Sequence, residues 1–121
     1  MKPSLAHTAL GAIGGLCGAA GVGFSAYAAH AGGTNVGTAA TMLLMHAPLF
    51  VALGLVARGR MLLAGGWIVL LGLALFAGDL LLRHYAGSRL FPMAAPTGGF
   101  LMIGGWLAVA ASILFGSRSR A

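Results

Sequence analysis

Four apolar stretches, each about as long as a bilayer is thick, dominate this chain of 121 residues and leave few options for its fold. A helix needs about 20 mostly apolar residues to cross the hydrocarbon core. Leu5 to Ala29, Thr38 to Ala57, Met61 to about Tyr85 and Gly98 to Gly116 meet that requirement. Inside lipid the backbone must satisfy its own hydrogen bonds, so only helices and closed barrels can span. The long unbroken runs lack period-2 alternation, which argues against a barrel. The expected fold is all-α: four transmembrane helices in an up-and-down bundle, forming one domain over residues 1–121.

Composition agrees with lipid as the solvent. Hydrophobic residues make up 60% of the chain and charged residues only 7%, whereas a soluble domain carries charge on about 25%. The net charge of +6 would fit a nucleic-acid ligand, but its placement does not. Lys2, Arg58, Arg60, Arg83, Arg89, Arg118 and Arg120 lie between, beyond or at the ends of the apolar runs, not along one face. Such flanking charges orient spans in a bilayer. Nucleic-acid binding is set aside on that ground.

The connections are short and well marked. "HAGGTNVG" (His30 to Gly37) is a turn-forming cluster, "RGR" (Arg58 to Arg60) closes a tight hairpin, and Gly87 can cap the third span. "GSRLFPMAAP" (Gly87 to Pro96) is the longest connection, and its two prolines are expected to keep it out of the helices. Four spans place both termini on one side with Lys2, Arg58, Arg60, Arg118 and Arg120, leaving Arg83 and Arg89 opposite. The excess of basic residues predicts cytoplasmic termini. A multi-pass protein of a bacterial inner membrane is expected. Lys2, the first apolar run and Ala26-Tyr27-Ala28 imitate a cleavable secretory signal. The run is longer than a usual signal core, so an uncleaved span is expected.

Many of the 21 glycines recur at helical spacing. Gly11, Gly15, Ala19 and Gly23 step by four along span one, with Gly14 and Gly18 beside them; Gly104, Ala108, Ser112 and Gly116 do the same in span four, and Gly65 and Gly72 lie seven apart in span three. Small residues let helix backbones approach closely where lipid removes the hydrophobic drive between helices. Gly11, Gly15, Gly18, Gly104 and Ala108 are therefore expected to pack helices, within one subunit or between partners. No P-loop or dinucleotide-binding pattern accompanies the glycines, so nucleotide binding is not expected.

Ionisable residues inside spans are candidates for function. Asp79 is the only acidic residue. It lies ~27 Å along a helix entered near Met61, at the non-cytoplasmic edge, with Arg83 one turn on. A structural Asp79–Arg83 pair is expected. His46 lies deeper, about 12 Å into span two at 1.5 Å per residue, and Pro48 deprives the carbonyl of Leu44 of its partner. Topology gathers His30, His46, Asp79, Arg83, His84 and Thr97 into the non-cytoplasmic half as a candidate polar cluster. His7, at the opposite end, is expected to be solvated. No H-x-x-x-H or H-E-x-x-H spacing suggests a metal, the lone Cys17 permits no intrachain disulfide, and no nucleophile–base pair suggests an enzyme. No metal, cofactor or catalytic residue is expected.

At "APTGGFLMIGGW" (Ala95 to Trp106) the chain resembles the YgdD-like small membrane proteins, known as domain of unknown function 423. The shared pattern is P-x-G-G, an apolar stretch and G-W. "GVGFSAYAAHAG" resembles that family's G-x-x-x-G-A-F-G-A-H segment at Gly21 and His30, "MLLMHAPL" its Y-Q-x-Y-H-A-L segment at His46 and Ala47, and "LFAGDLLL" its L-F-S-G-S segment at Leu75, Phe76 and Gly78. Three departures stand out: Asp79 where the family tends to have a small hydroxyl residue, Met45 in place of Tyr, and Pro48 in place of Leu. The resemblance implies a four-span bundle of unknown function. Two functions are carried forward. The first is a non-enzymatic unit associating with itself, with lipid or with a larger membrane complex through its Gly/Ala-rich faces. The second is a proton, ion or small-solute transport unit using His46 and His30.

Overall fold

A computed structural model describes residues 4–120, with side chains as far as residue 116; Lys2 and the side chains of Arg118 and Arg120 lie outside the described residues. It is all-helical: α1 (Leu5–Ala31), α2 (Thr34–Val56), α3 (Arg60–Ala86) and α4 (Ala94–Arg120). All four are long and apolar enough to cross a membrane, α4 over Ala94–Gly116.

The helices are longer than sequence alone suggests where turns were read too widely. The expected eight-residue break after α1 shrinks to Gly32 and Gly33, whose φ angles of 79° and 112° turn the chain in two residues. Glycine adopts such angles at little cost, so Thr34–Gly37 is free to start α2. Pro96 lies inside α4, in its first turn, where a missing N–H breaks no intrahelical bond. Pro48 likewise sits within a continuous α2. Gly87 ends α3 in the left-handed conformation, its N–H donating to the carbonyl of Arg83.

The packing follows chain order: α1 on α2, α2 on α3 and α3 on α4, with α1 reaching α3 only locally. Among the described residues no close backbone approach joins α4 to α1 or α2. The bundle is two close hairpins joined through α2 and α3. A shared core of Leu10, Ala39, Phe50, Leu53, Val69, Leu73, Ala77 and Met102 lies along that seam.

Glycines set the spacing within each hairpin, and not all at the expected positions. A Cβ built on Gly14 would meet Phe50 and the Val51 backbone at 2.8 Å, and one on Gly21 would meet Leu44 at 2.7 Å. Gly11 faces Gly54, and Gly18 faces Ala47, both at 3.6 Å. In the second hairpin two pairs of glycines seven apart meet antiparallel: Gly72 against Gly98 and Gly65 against Gly105. A Cβ on Gly98 would stand 2.5 Å from the Gly72 carbonyl oxygen. Gly15 and Gly104 face away from both hairpins; a Cβ on either would meet nothing within 4 Å. The stripes read at spacing four are therefore divided between inner and outer faces, with Ala108 half-buried beside the α3 contact.

Candidate functional site

The polar residues expected to share one cluster occupy separate settings. His30 and Thr97 are exposed near the ends of their helices. Asp79, Arg83 and Leu90 form one unit, and His46 belongs to another with Trp106. Among the described residues no group of three or more His, Cys, Asp or Glu converges.

Asp79 is fully buried. Arg83 Nη2 donates to its Oδ2 across 2.6 Å, one helical turn away. The second oxygen has a partner that sequence reading missed: the Leu90 N–H donates to Oδ1 at 2.9 Å. Asp79 thus closes the loop between α3 and α4 onto the end of α3. A buried carboxylate is tolerable when its charge is paired and its lone pairs are occupied, and both conditions hold here. Arg83 keeps one buried donor, Nε, without an acceptor. The same loop ends at Met93, whose φ of 70° is unusual for a residue with a side chain.

His46, 5% exposed, lies near the middle of α2. Its Nδ1 is 2.8 Å from the carbonyl oxygen of Met42, which can only accept. Its Nε2 is 3.1 Å from Trp106 Nε1, which can only donate. The two partners therefore select one neutral tautomer, with the proton on Nδ1. Phe50 stacks on the ring at 6.4 Å between centroids and Trp106 tilts over it at 5.7 Å. Sequence reading singled out His46 and the segment ending at Trp106 without joining them, because sixty residues separate the two in the chain.

At the other end of the molecule His7 is not solvated as expected but half-buried and bonded twice. Its Nε2 donates to the Ala57 carbonyl at 2.9 Å, so Ser4 Oγ, 2.6 Å from Nδ1, donates to that nitrogen. Ser4 Oγ also accepts from the His7 N–H and caps α1. The imidazole ties the start of α1 to the end of α2, where the final carbonyls lack helical partners. A further contact joins α1 to α3: Tyr27 Oη lies 3.1 Å from His84 Nε2, with Tyr85 packed against both rings.

Apart from Arg83 Nε, these arrangements bond chiefly to internal partners. Three of the four histidines fasten one helix to another, and the carboxylate fastens a loop. On the outer surface of α3 and α4 lies a groove of different character, lined by Phe76, Arg83, Ala95, Pro96, Gly99, Phe100 and Ile103.

No curated protein and no solved structure matches the chain. A family profile described as "protein of unknown function (DUF423)" matches residues 24–99, more than half of the chain. That region runs from the second half of α1 to the start of α4 and contains His46, Asp79 and the Gly72–Gly98 contact. Four apolar helices and this match together make the protein a small, helical integral-membrane member of the DUF423 family.

Proposed function

We propose that this protein is a non-enzymatic association unit of the bilayer, joining a second copy of itself or another membrane protein through the outer face of α1. One observation carries the reading. Ala12, Gly15, Ala19, Gly23 and Ala26 are all exposed along α1, and a Cβ on Gly15 or Gly23 would meet nothing within 4 Å. The glycines at Gly14 and Gly21 already serve the α1–α2 contact, so internal packing does not account for the outer set. Small residues on a lipid-facing helix lower the barrier to close approach by another helix. The proposed setting is a bacterial inner membrane with both termini cytoplasmic, the arrangement that places Arg58 and Arg60 on the more basic side.

Transport through His46 has less support. A relay needs an imidazole nitrogen free to exchange a proton, and both nitrogens of His46 are engaged within the bundle. The test of association is native mass spectrometry of protein released from its own membranes in the mildest effective detergent. A discrete oligomer or an attached membrane protein is expected in the natural chain and should be lost in Gly15→Leu. A bare monomer from the natural chain would end the proposal.

A further inference from the structure

The α3–α4 groove has a volume of about 470 Å³, within the ~300–1,000 Å³ usual for small-molecule sites. Its shape follows the bilayer. Along α4 it runs from Ala95 to Ile103, about 12 Å at the rise of an α-helix. One leaflet contributes about 15 Å of a ~30 Å hydrocarbon core. The groove therefore begins at the helix ends, where the interface lies, and runs inward by nearly one leaflet. Phe100 and Ile103 are 74% and 58% exposed, so the groove opens sideways, toward acyl chains rather than toward water. Gly99 keeps its floor open, since a Cβ there would meet nothing within 4 Å.

Chemistry changes along that length. The lining is apolar except at the outer end, where Arg83 enters it. Arg83 gives Nη2 to Asp79, yet its side chain stays 29% exposed and so remains open to an incoming acceptor. Asp79 is enclosed with both oxygens engaged, so it offers no lone pair to an incoming group. Arg89, exposed in the adjoining loop, gives this end a second positive charge. A part-exposed guanidinium at the interface, followed by one leaflet of apolar channel, complements a molecule with an anionic oxygen group and a hydrocarbon chain.

We propose that this groove binds an anionic glycerophospholipid, its phosphate accepting from Arg83 and one acyl chain lying over Gly99 between Phe76 and Ile103. The site is separate from the outer face of α1 and does not depend on self-association.

The experiment is native mass spectrometry of delipidated full-length protein titrated with palmitoyl-oleoyl phosphatidylglycerol. Diacylglycerol of the same chains and inorganic phosphate serve as the two half-ligands. The natural protein should retain one phosphatidylglycerol at least tenfold more tightly than diacylglycerol, with no displacement by millimolar phosphate. Gly99→Leu fills the groove while leaving both residues of the Asp79–Arg83 pair unchanged, and should weaken phosphatidylglycerol at least tenfold. Arg83→Gln, if it folds, should bring the two lipids to equal affinity. Equal binding of phosphatidylglycerol and diacylglycerol by the natural protein, undiminished binding by Gly99→Leu, or displacement by phosphate alone would each overturn the proposal.

Discussion

Trp106 on α4 donates its indole N–H to His46 on α2 across 3.1 Å, although those two helices make no close backbone approach. Among the described residues it is the only side-chain hydrogen bond between them. It spans the seam between the hairpins, where the exposed alternative to each partner is lipid. An indole N–H or an imidazole nitrogen left without a partner there has no water to turn to. Trp106→Phe should therefore destabilise the bundle by about 1–3 kcal/mol, the usual cost of an orphaned buried polar group. His46→Leu removes the other partner. In a double-mutant cycle by denaturation in detergent, the pair should show a coupling of at least about 0.5 kcal/mol. Strict additivity of the two substitutions would refute the link.

Asp79 holds one group on its own helix and one in the following loop, and its replacement should release both. Asp79→Ala leaves Arg83 without its counter-ion and Leu90 without its acceptor. Removing one partner of a buried pair costs roughly 3–5 kcal/mol, and the partial exposure of Arg83 places the expected loss at the lower end. Asp79→Asn keeps an acceptor for Leu90 and should be milder. Hydrogen exchange reads the loop directly: the Leu90 amide should exchange faster in Asp79→Ala and remain protected in Asp79→Asn. An unchanged melting temperature in both variants would make the pairing unimportant.

The two hairpins predict a sharp contrast among glycines. Gly98→Ala directs a methyl at the Gly72 carbonyl and the Phe76 backbone, neither of which can rotate away. Overpacking of this kind costs about 1–3 kcal/mol, and here it should part α3 from α4. Gly104→Ala, six residues on, points into open space and should leave the melting temperature within about 0.5 kcal/mol equivalent of the parent, as surface substitutions do. Thermal unfolding in detergent compares the two, and equal losses would contradict the antiparallel glycine contact.

Met93 invites a stabilising change. Its positive φ costs a residue with a Cβ roughly 1–2 kcal/mol, and the loop imposes it between the Leu90 anchor and the first turn of α4. Met93→Gly removes that strain and should raise the melting temperature by the equivalent of about 1 kcal/mol. Met93 is exposed, so little packing is lost in exchange. A fall in stability would show that the side chain contributes more than its backbone costs.

Much of the architecture is a property of the chain read in one dimension. Twenty-residue apolar length, the Gly32–Gly33 and Arg58–Arg60 breaks and the cap at Gly87 act locally, and each places a helix end within a few residues of where it lies. The Asp79–Arg83 pair was equally legible, because residues four apart share a helix face. Errors arose where local signals were over-read: Thr34–Gly37 and Pro96 carry turn residues yet are helical, since the first turn of a helix tolerates them.

What the chain alone could not determine is which way each helix faces. In lipid a span is apolar around its whole circumference, and α4 shows almost no difference in hydrophobicity between its sides. The amphipathic signal that orients a helix in a soluble protein is thus missing. Rotation is decided by steric fit between specific pairs: Gly14 beneath Phe50, Gly98 beneath Gly72. Only that fit separates the glycines that pack within the bundle from Gly15 and Gly104, which face out of it. The same fit brings Trp106 to His46, Ala57 to His7 and Leu90 to Asp79. These partners are 60, 50 and 11 residues apart, so no periodicity links them, and the folded bundle alone pairs them.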